Sequence, residues 1–134
     1  MFFANLGNKK LVTMKYYHVF IQSLEKEGLW RQGISFDNSK EDMIESIISP
    51  FNENKHFKFG ERLVDLKKIN RVIVFESEIP TSEIVLPNGE TPHKAEMTFL
   101  IHSFCEGEVK GVRECTSEFI PQHKSNSKTD CNIG

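Results

Sequence analysis

One segment of the sequence constrains the fold more than any other. Residues 69–75 read Ile-Asn-Arg-Val-Ile-Val-Phe, and their apolar run is nearly continuous. An antiparallel strand with one solvent-exposed face alternates apolar and polar residues, whereas a strand buried on both faces does not. The segment is therefore predicted to be a central strand of a sheet.

Two hairpins are predicted around this strand. Residues 16–24 are dense in aromatic and β-branched side chains, which favour strands. A polar turn at 25–28 leads into a second strand, in which Trp30, Gln32, Ile34 and Phe36 share one face at period two. Residues 57–59 and 62–64 are predicted to form a second, shorter hairpin around Gly60, because a tight turn needs a residue that accepts positive φ.

A helix is predicted over residues 39–49. The segment Asp37-Asn38-Ser39 supplies side-chain oxygens that can cap a helix start. Apolar residues then recur at the spacing of one helical face, at Met43, Ile44, Ile47, Ile48 and Phe51. Pro50 disfavours helix at the residue before it, so the helix is expected to end at Ser49. Its apolar side is expected to cover the sheet.

The remaining segments have weaker patterns. Residues 76–94 are predicted to be a long loop or a hairpin arm, and 97–104 are compatible with strand or helix. Together the patterns predict one α+β domain over residues 14–121, with a small, mostly antiparallel sheet of five or six strands and one main helix packed on it. Residues 1–13 are interpreted as an N-terminal extension and 122–134 as a disordered tail. Met14 is a second plausible start beside Met1.

Composition excludes several functional classes. The formal net charge is −2, from 17 basic and 19 acidic residues, so no global field attracts nucleic acid. No apolar run has the length of a membrane span, and the N-terminus lacks the features of a signal peptide. The three cysteines show no C-x-x-C spacing, which predicts unpaired thiols and a cytoplasmic location.

No catalytic or cofactor motif is present. The sequence lacks a nucleophile elbow, a phosphate-binding glycine loop and a dinucleotide fingerprint. The five histidines do not have metal-ligand spacing, so neither a metal nor a cofactor is expected. Glu76, Glu78 and Glu83 can in principle pair as acid and base, but exposed glutamates are usually just solvated. A non-enzymatic role is therefore predicted.

The second hairpin is the best candidate for a binding surface. Basic and aromatic side chains lie close together there and can hold a nucleotide through phosphate contact and stacking. The alternative is a solvated hairpin face, because charged runs usually serve solvation. His18 is either a half-buried strand histidine or a group that contacts the ligand. The candidate ligand-binding residues are Lys58, Arg62, Arg71, Phe57, Phe59 and His18.

The order of several short motifs resembles a known family. The motifs are 14–19 (Met-Lys-Tyr-Tyr-His-Val), 34–37 (Ile-Ser-Phe-Asp), 48–51 (Ile-Ser-Pro-Phe), 57–60 (Phe-Lys-Phe-Gly), 69–78 and 111–120 (Gly-Val-Arg-Glu-Cys-Thr-Ser-Glu-Phe-Ile). Together they are similar to the N-terminal domain that precedes TIR-like predicted nucleotide-binding effector domains in prokaryotic proteins, many linked to phage defence. Cys115 stands where the family usually has valine, Glu114 stands where it has aspartate, and residues 79–104 do not match.

This resemblance implies a sensor, adaptor or oligomerisation module. Its expected partners are a signalling nucleotide, a TIR-like effector protein or a second copy of the chain. No effector domain is expected here, so no catalytic residue carries over. Sequestration of a signalling nucleotide is a further option. The alternative from a different class is a small-molecule hydrolase or transferase, which would need a deep pocket with two titratable groups within hydrogen-bond reach.

Overall fold

A computed structural model gives the structure of the chain and describes residues 14–24 and 30–121. The predicted extension 1–13, the turn at 25–28 and the tail 122–134 lie outside these residues. The described part is an α+β fold, as the sequence predicts.

Six strands form two antiparallel sheets in the described residues. They are β1 (Tyr16–Leu24), β2 (Trp30–Asn38), β3 (Phe57–Phe59), β4 (Arg62–Val64), β5 (Ile69–Ser77) and β6 (Val112–Glu114). Four of them pair in the order β2-β1-β5-β6, and β3 and β4 form a separate hairpin. β5 is hydrogen-bonded on both sides, which confirms the prediction of a central strand.

The first helical segment, α1, covers residues 40–52 and is longer than predicted. It consists of an α-helical start (Lys40–Met43), a π-helical centre (Ile44–Ile48) and an α-helical end (Ser49–Asn52). The predicted end at Ser49 is wrong because the wider π turn comes directly before Pro50, where the backbone N–H of Ser49 donates to the carbonyl of Ile44. A proline ring clashes with the carbonyl four residues earlier in a regular helix, and the π turn relieves this clash.

A second helix, α2, covers Met97–Cys105, the segment that the sequence leaves open between strand and helix. The Glu96 side chain caps its start by accepting a hydrogen bond from the backbone N–H of Phe99 at 3.2 Å. Within residues 14–24 and 30–121, single 3₁₀ turns also occur at Leu66–Lys68, Thr81–Glu83 and Thr116–Glu118. The loop from 78 to 96 has no strand, which excludes the hairpin-arm interpretation of 76–94.

The four-stranded sheet is covered on both faces. On one face the first core joins β1 and β5 to α1 and the β3–β4 hairpin; its largest members include Ile21, Met43, Ile47, Phe51, Phe57 and Phe59. On the other face the second core joins the same strands to α2 and the 78–96 loop, through Phe20, Ile73, Phe75, Ile84, Leu86, Leu100 and Phe104. Burial on both faces explains why β5 lacks polar alternation.

The cysteines differ from one another. Cys115 is a free, buried thiol, and burial raises its pKa to about 12. Cys105 is disulfide-bonded, so the prediction of three unpaired thiols is wrong for this residue. Spacing along the sequence does not show which cysteines the fold brings together.

Among the described residues, no helix has the length and apolar character needed to cross a membrane.

Candidate functional site

A cleft of about 400 Å³ lies between strand β2 and the β3–β4 hairpin. Two arginines, Arg31 on β2 and Arg62 on β4, line it. We call it the arginine cleft, and its residues are Arg31, Gln32, Gly33, Ile34, Ser35, Phe59, Gly60 and Arg62. It lies between β2, an outer strand among the described residues, and the β3–β4 hairpin, which the sequence analysis identifies as the best candidate for a binding surface.

The sequence folds this way because two small local features allow a close approach. Gly60 adopts φ 67° in the hairpin turn, a conformation that glycine accepts without strain. Gly33 on β2 has no side chain to keep the hairpin away, since a Cβ there would lie 3.3 Å from the ring atom Cε2 of Phe59. The Phe59 ring therefore rests against the β2 backbone and forms the floor of the cleft.

The predicted binding residues do not form one surface. Of the hairpin residues, Arg62 is half-buried in the cleft, and Lys58 is exposed and does not line it. The side chains of Phe57 and Phe59 lie in the first core, at 5% and 9% exposure, so their rings pack inside the fold. Only Arg62 and Phe59 of the predicted set line the cleft.

The other two predicted residues lie on the opposite face of the sheet. Along β5, Val72 and Val74 belong to the first core and Ile73 to the second, so the alternation places Arg71 on the second-core face. Arg71 is buried, at 8% exposure. His18 is completely buried on that same face, within ring-contact distance of Phe36 and Phe104.

His18 is held by two hydrogen bonds that define its tautomer. The backbone N–H of Asp37 donates to its Nδ1 at 3.0 Å, so Nδ1 carries no proton. Its Nε2 then carries the proton and donates to Ser77 Oγ at 2.9 Å. The Ser77 hydroxyl in turn donates to the carbonyl of Ile79 at 2.7 Å. In this arrangement the imidazole has no lone pair available to activate the hydroxyl.

A second chain of hydrogen bonds connects β2 to the 78–96 loop. The two carboxylate oxygens of Asp37 accept from the backbone N–H and the hydroxyl of Thr81, at 3.0 and 2.7 Å. The Thr81 oxygen lies 2.7 Å from His93 Nε2, which donates to it because the Thr81 proton is directed at Asp37. Asp37 has φ 59°, a strained conformation for a residue other than glycine, and these bonds hold it there. Thr81 is fully buried, so its hydroxyl serves as an anchor for the loop.

Burial of His18 makes the stability of the fold dependent on pH. Burial lowers its pKa from 6.5 to about 4, although the nearby Asp37 carboxylate opposes this shift. The unfolded chain takes up the proton first, so stability is fully present above pH 6.5 and is lost as pH falls towards 4. The shift corresponds to about 3 kcal/mol in the free energy of unfolding.

We expect urea unfolding to show this loss between pH 7 and pH 4 in the wild-type protein and a much smaller loss in His18→Gln, which has no imidazole. Burial acts to raise the pKa of Glu76, but hydrogen bonds from Arg113 and Lys15 outweigh it and lower the pKa. The contribution of Glu76 to the pH dependence of stability is the same in the wild-type protein and in the variant. NMR titration of the His18 imidazole gives an independent check. A ring that becomes protonated near pH 6.5 in the folded protein would contradict this account.

Another cleft, of about 420 Å³, lies at the opposite edge of the sheet. Its charged groups already neutralise one another, because the Glu76 carboxylate accepts from Lys15 at 3.3 Å and from Arg113 at 2.8 Å. Arg113 also pairs with Glu118 at 2.9 Å. The sequence interpretation of Glu76 as a solvated loop residue is wrong, since it is a buried strand residue at 7% exposure. This network stabilises the β5–β6 edge.

Sequence reasoning missed Arg31, Asp37, Thr81 and His93 as parts of these clusters. The residues that meet come from distant segments, with Asp37 and Thr81 separated by 44 positions.

The described residues hold no group of three or more His, Cys, Asp or Glu side chains that could bind a metal ion. Comparison of the chain with protein-family models, with curated proteins and with solved structures gave no match.

Proposed function

We propose that this chain is a non-catalytic binding module that captures an anionic ligand in the arginine cleft. In this proposal it acts as a sensor or adaptor in a prokaryotic or phage-related defence or signalling system. One observation supports the binding role, namely that two arginines, Arg31 and Arg62, line a single open cleft between β2 and the hairpin. The family resemblance of the short motifs supports the biological setting.

The chemistry of the cleft favours an anion. Each guanidinium offers several N–H donors in a rigid plane that matches the geometry of a phosphate or a carboxylate. The side chains of Gln32 and Ser35 add neutral polar groups to the same lining. Because the rings of Phe57 and Phe59 are buried, a ligand gains no stacking on exposed aromatic faces from this hairpin. Recognition in the proposal therefore depends on the charged part of the ligand.

The composition of the lining supports binding without catalysis. The described residues that line the cleft include no His, Cys, Asp or Glu, so the lining offers no ordinary general base or thiol nucleophile. Neither histidine that meets a hydroxyl lies in the cleft lining, since His18 donates to Ser77 on the far side of the sheet and His93 donates to Thr81 of the 78–96 loop. These features support a module that holds its ligand unchanged.

Charge reversal in the cleft tests this proposal. We expect Arg31→Glu and Arg62→Glu each to weaken binding of inorganic pyrophosphate, used as the anion probe, by about tenfold or more, because each removes charge-assisted hydrogen bonds. Lys58→Glu is the matched control, since it makes the same charge change on the hairpin outside the cleft. The measurements are an NMR titration and a melting temperature for each variant. Equal losses in all three variants, or none in any, would overturn a site at the cleft.

A further inference from the structure

We propose that the ligand of the arginine cleft is an extended acidic peptide segment that adds as a further strand to the outer edge of β2. This inference rests on the proposed function, because it assigns a chemical class to the anion that the cleft captures. Its evidence is the direction of the β2 backbone groups, the position of the two arginines and an outer edge of β2 with which no described strand pairs.

β2 is an outer strand among the described residues. It pairs with β1 on one side, and no described strand pairs with it on the other. The Asn38 amide Nδ2 donates both to the carbonyl of Tyr17 on β1, at 3.1 Å, and to the carbonyl of Ser35, at 3.2 Å. The Ser35 carbonyl therefore faces β1.

The outward-facing groups follow from strand geometry. The N–H and C=O of one residue point to the same side of an antiparallel strand, and successive residues point to opposite sides. Since Ser35 faces β1, the backbone groups of Ile34 and Gln32 face the outer edge. Both residues line the arginine cleft. The cleft thus presents two N–H donors and two carbonyl acceptors, with the spacing of a β-ladder.

The two arginines lie beside this edge on the hairpin face of the sheet. Gly33 pairs with Ile21 of the first core, so Gly33 and, by alternation, Arg31 lie on the face that the hairpin covers. Phe59 contacts Gly33 and is paired with Arg62 across the hairpin. A strand entering the cleft would therefore pass its side chains on that face close to both arginines, which favours acidic residues.

The carbonyls at the edge discriminate between kinds of anion. A phosphate group can accept from the N–H groups and the arginines, but the ionised form has no proton to offer the carbonyls of Gln32 and Ile34. A peptide main chain supplies both donors and acceptors. The stretch Arg31-Gln32-Gly33-Ile34-Ser35 contains neither a proline nor a lysine, which commonly protect sheet edges against strand addition.

The test uses the full chain and a fluorescein-labelled probe peptide, acetyl-Glu-Val-Glu-Val-Glu-amide. Its glutamates share one face of a strand. In one matched version the valine amides carry N-methyl groups, and in the other the glutamate amides carry them. One version thereby blocks the backbone groups that face β2, and the other blocks those that face solvent. Fluorescence anisotropy gives the affinity. We expect one methylated version to lose binding by about tenfold or more and the other to bind like the parent.

Charge is tested separately. A peptide with lysine in place of glutamate should not bind, and Arg31→Glu should weaken binding of the parent peptide while Lys58→Glu should not. Equal binding of both methylated versions, or tighter binding of ADP than of the peptide, would overturn strand addition. If pyrophosphate still binds at the cleft in that case, the proposed function stands and only the peptide assignment fails. If neither pyrophosphate nor peptide binds, both proposals fail.

Discussion

Replacing Ile47 with aspartate is expected to unfold the chain. Ile47 lies in the π-helical part of α1 at 5% exposure, inside the first core. The substitution removes an apolar side chain and buries a carboxylate that has no partner, and each effect alone costs several kcal/mol. The sum is about 5 kcal/mol or more, which is comparable to the whole stability of a small domain. Circular dichroism and urea unfolding measure the result.

Ser46→Asp is the matched control for this experiment. Ser46 is the preceding residue of the same helical segment and is exposed, so the same charge is added without being buried. We expect a change below about 0.5 kcal/mol in the free energy of unfolding. A folded Ile47→Asp protein, as stable as the control, would show that α1 does not cover the sheet through this face.

Phe104→Ala is expected to cost about 3–5 kcal/mol in the free energy of unfolding, by creating a cavity in the second core. The Phe104 side chain is 2% exposed, and its ring meets that of Phe75 edge to face with centroids 5.1 Å apart. Edge-to-face ring pairs add to the free energy of burial. Urea unfolding measures the loss directly.

His102→Ala serves as the control on the same helix, because His102 is exposed and its removal leaves no cavity. A loss below about 1 kcal/mol for Phe104→Ala would mean that α2 contributes little to the fold and that the second core is not an essential layer. Together with Ile47→Asp, this experiment tests the covering of both faces of the sheet.

Local patterns in the sequence predicted the strands well. Residues 69–75 had to be buried on both faces, and residues 57–64 had a turn glycine between two short alternating runs. The predicted helix end was wrong because the π turn before Pro50 lets the helix continue past the proline, and the rule that proline ends a helix does not include such a turn. In segment 97–104 the apolar residues Met97, Leu100, Ile101 and Phe104 have the spacing of one helical face, a pattern that the sequence interpretation did not use. The second core buries that face.

The candidate site was only partly predictable. Arg62 was singled out because charge and aromatic residues cluster near it in sequence. Arg31 was missed because its proximity to the hairpin follows from the contact between Gly33 and Phe59, which are far apart in the chain. The alternation of Phe57 and Phe59 with polar residues showed that the two rings share one face of a strand. It did not show that this face is buried in the core, because an exposed face and a buried face have the same period of two.

The most direct test of the central claim is a map of ¹H–¹⁵N chemical shift changes when pyrophosphate is added to the ¹⁵N-labelled wild-type protein. The account predicts that the largest changes fall on residues 31–35 and 59–62, the two segments that form the arginine cleft. Changes concentrated around Lys15, Glu76 and Arg113 at the opposite edge, or no changes at all, would contradict it.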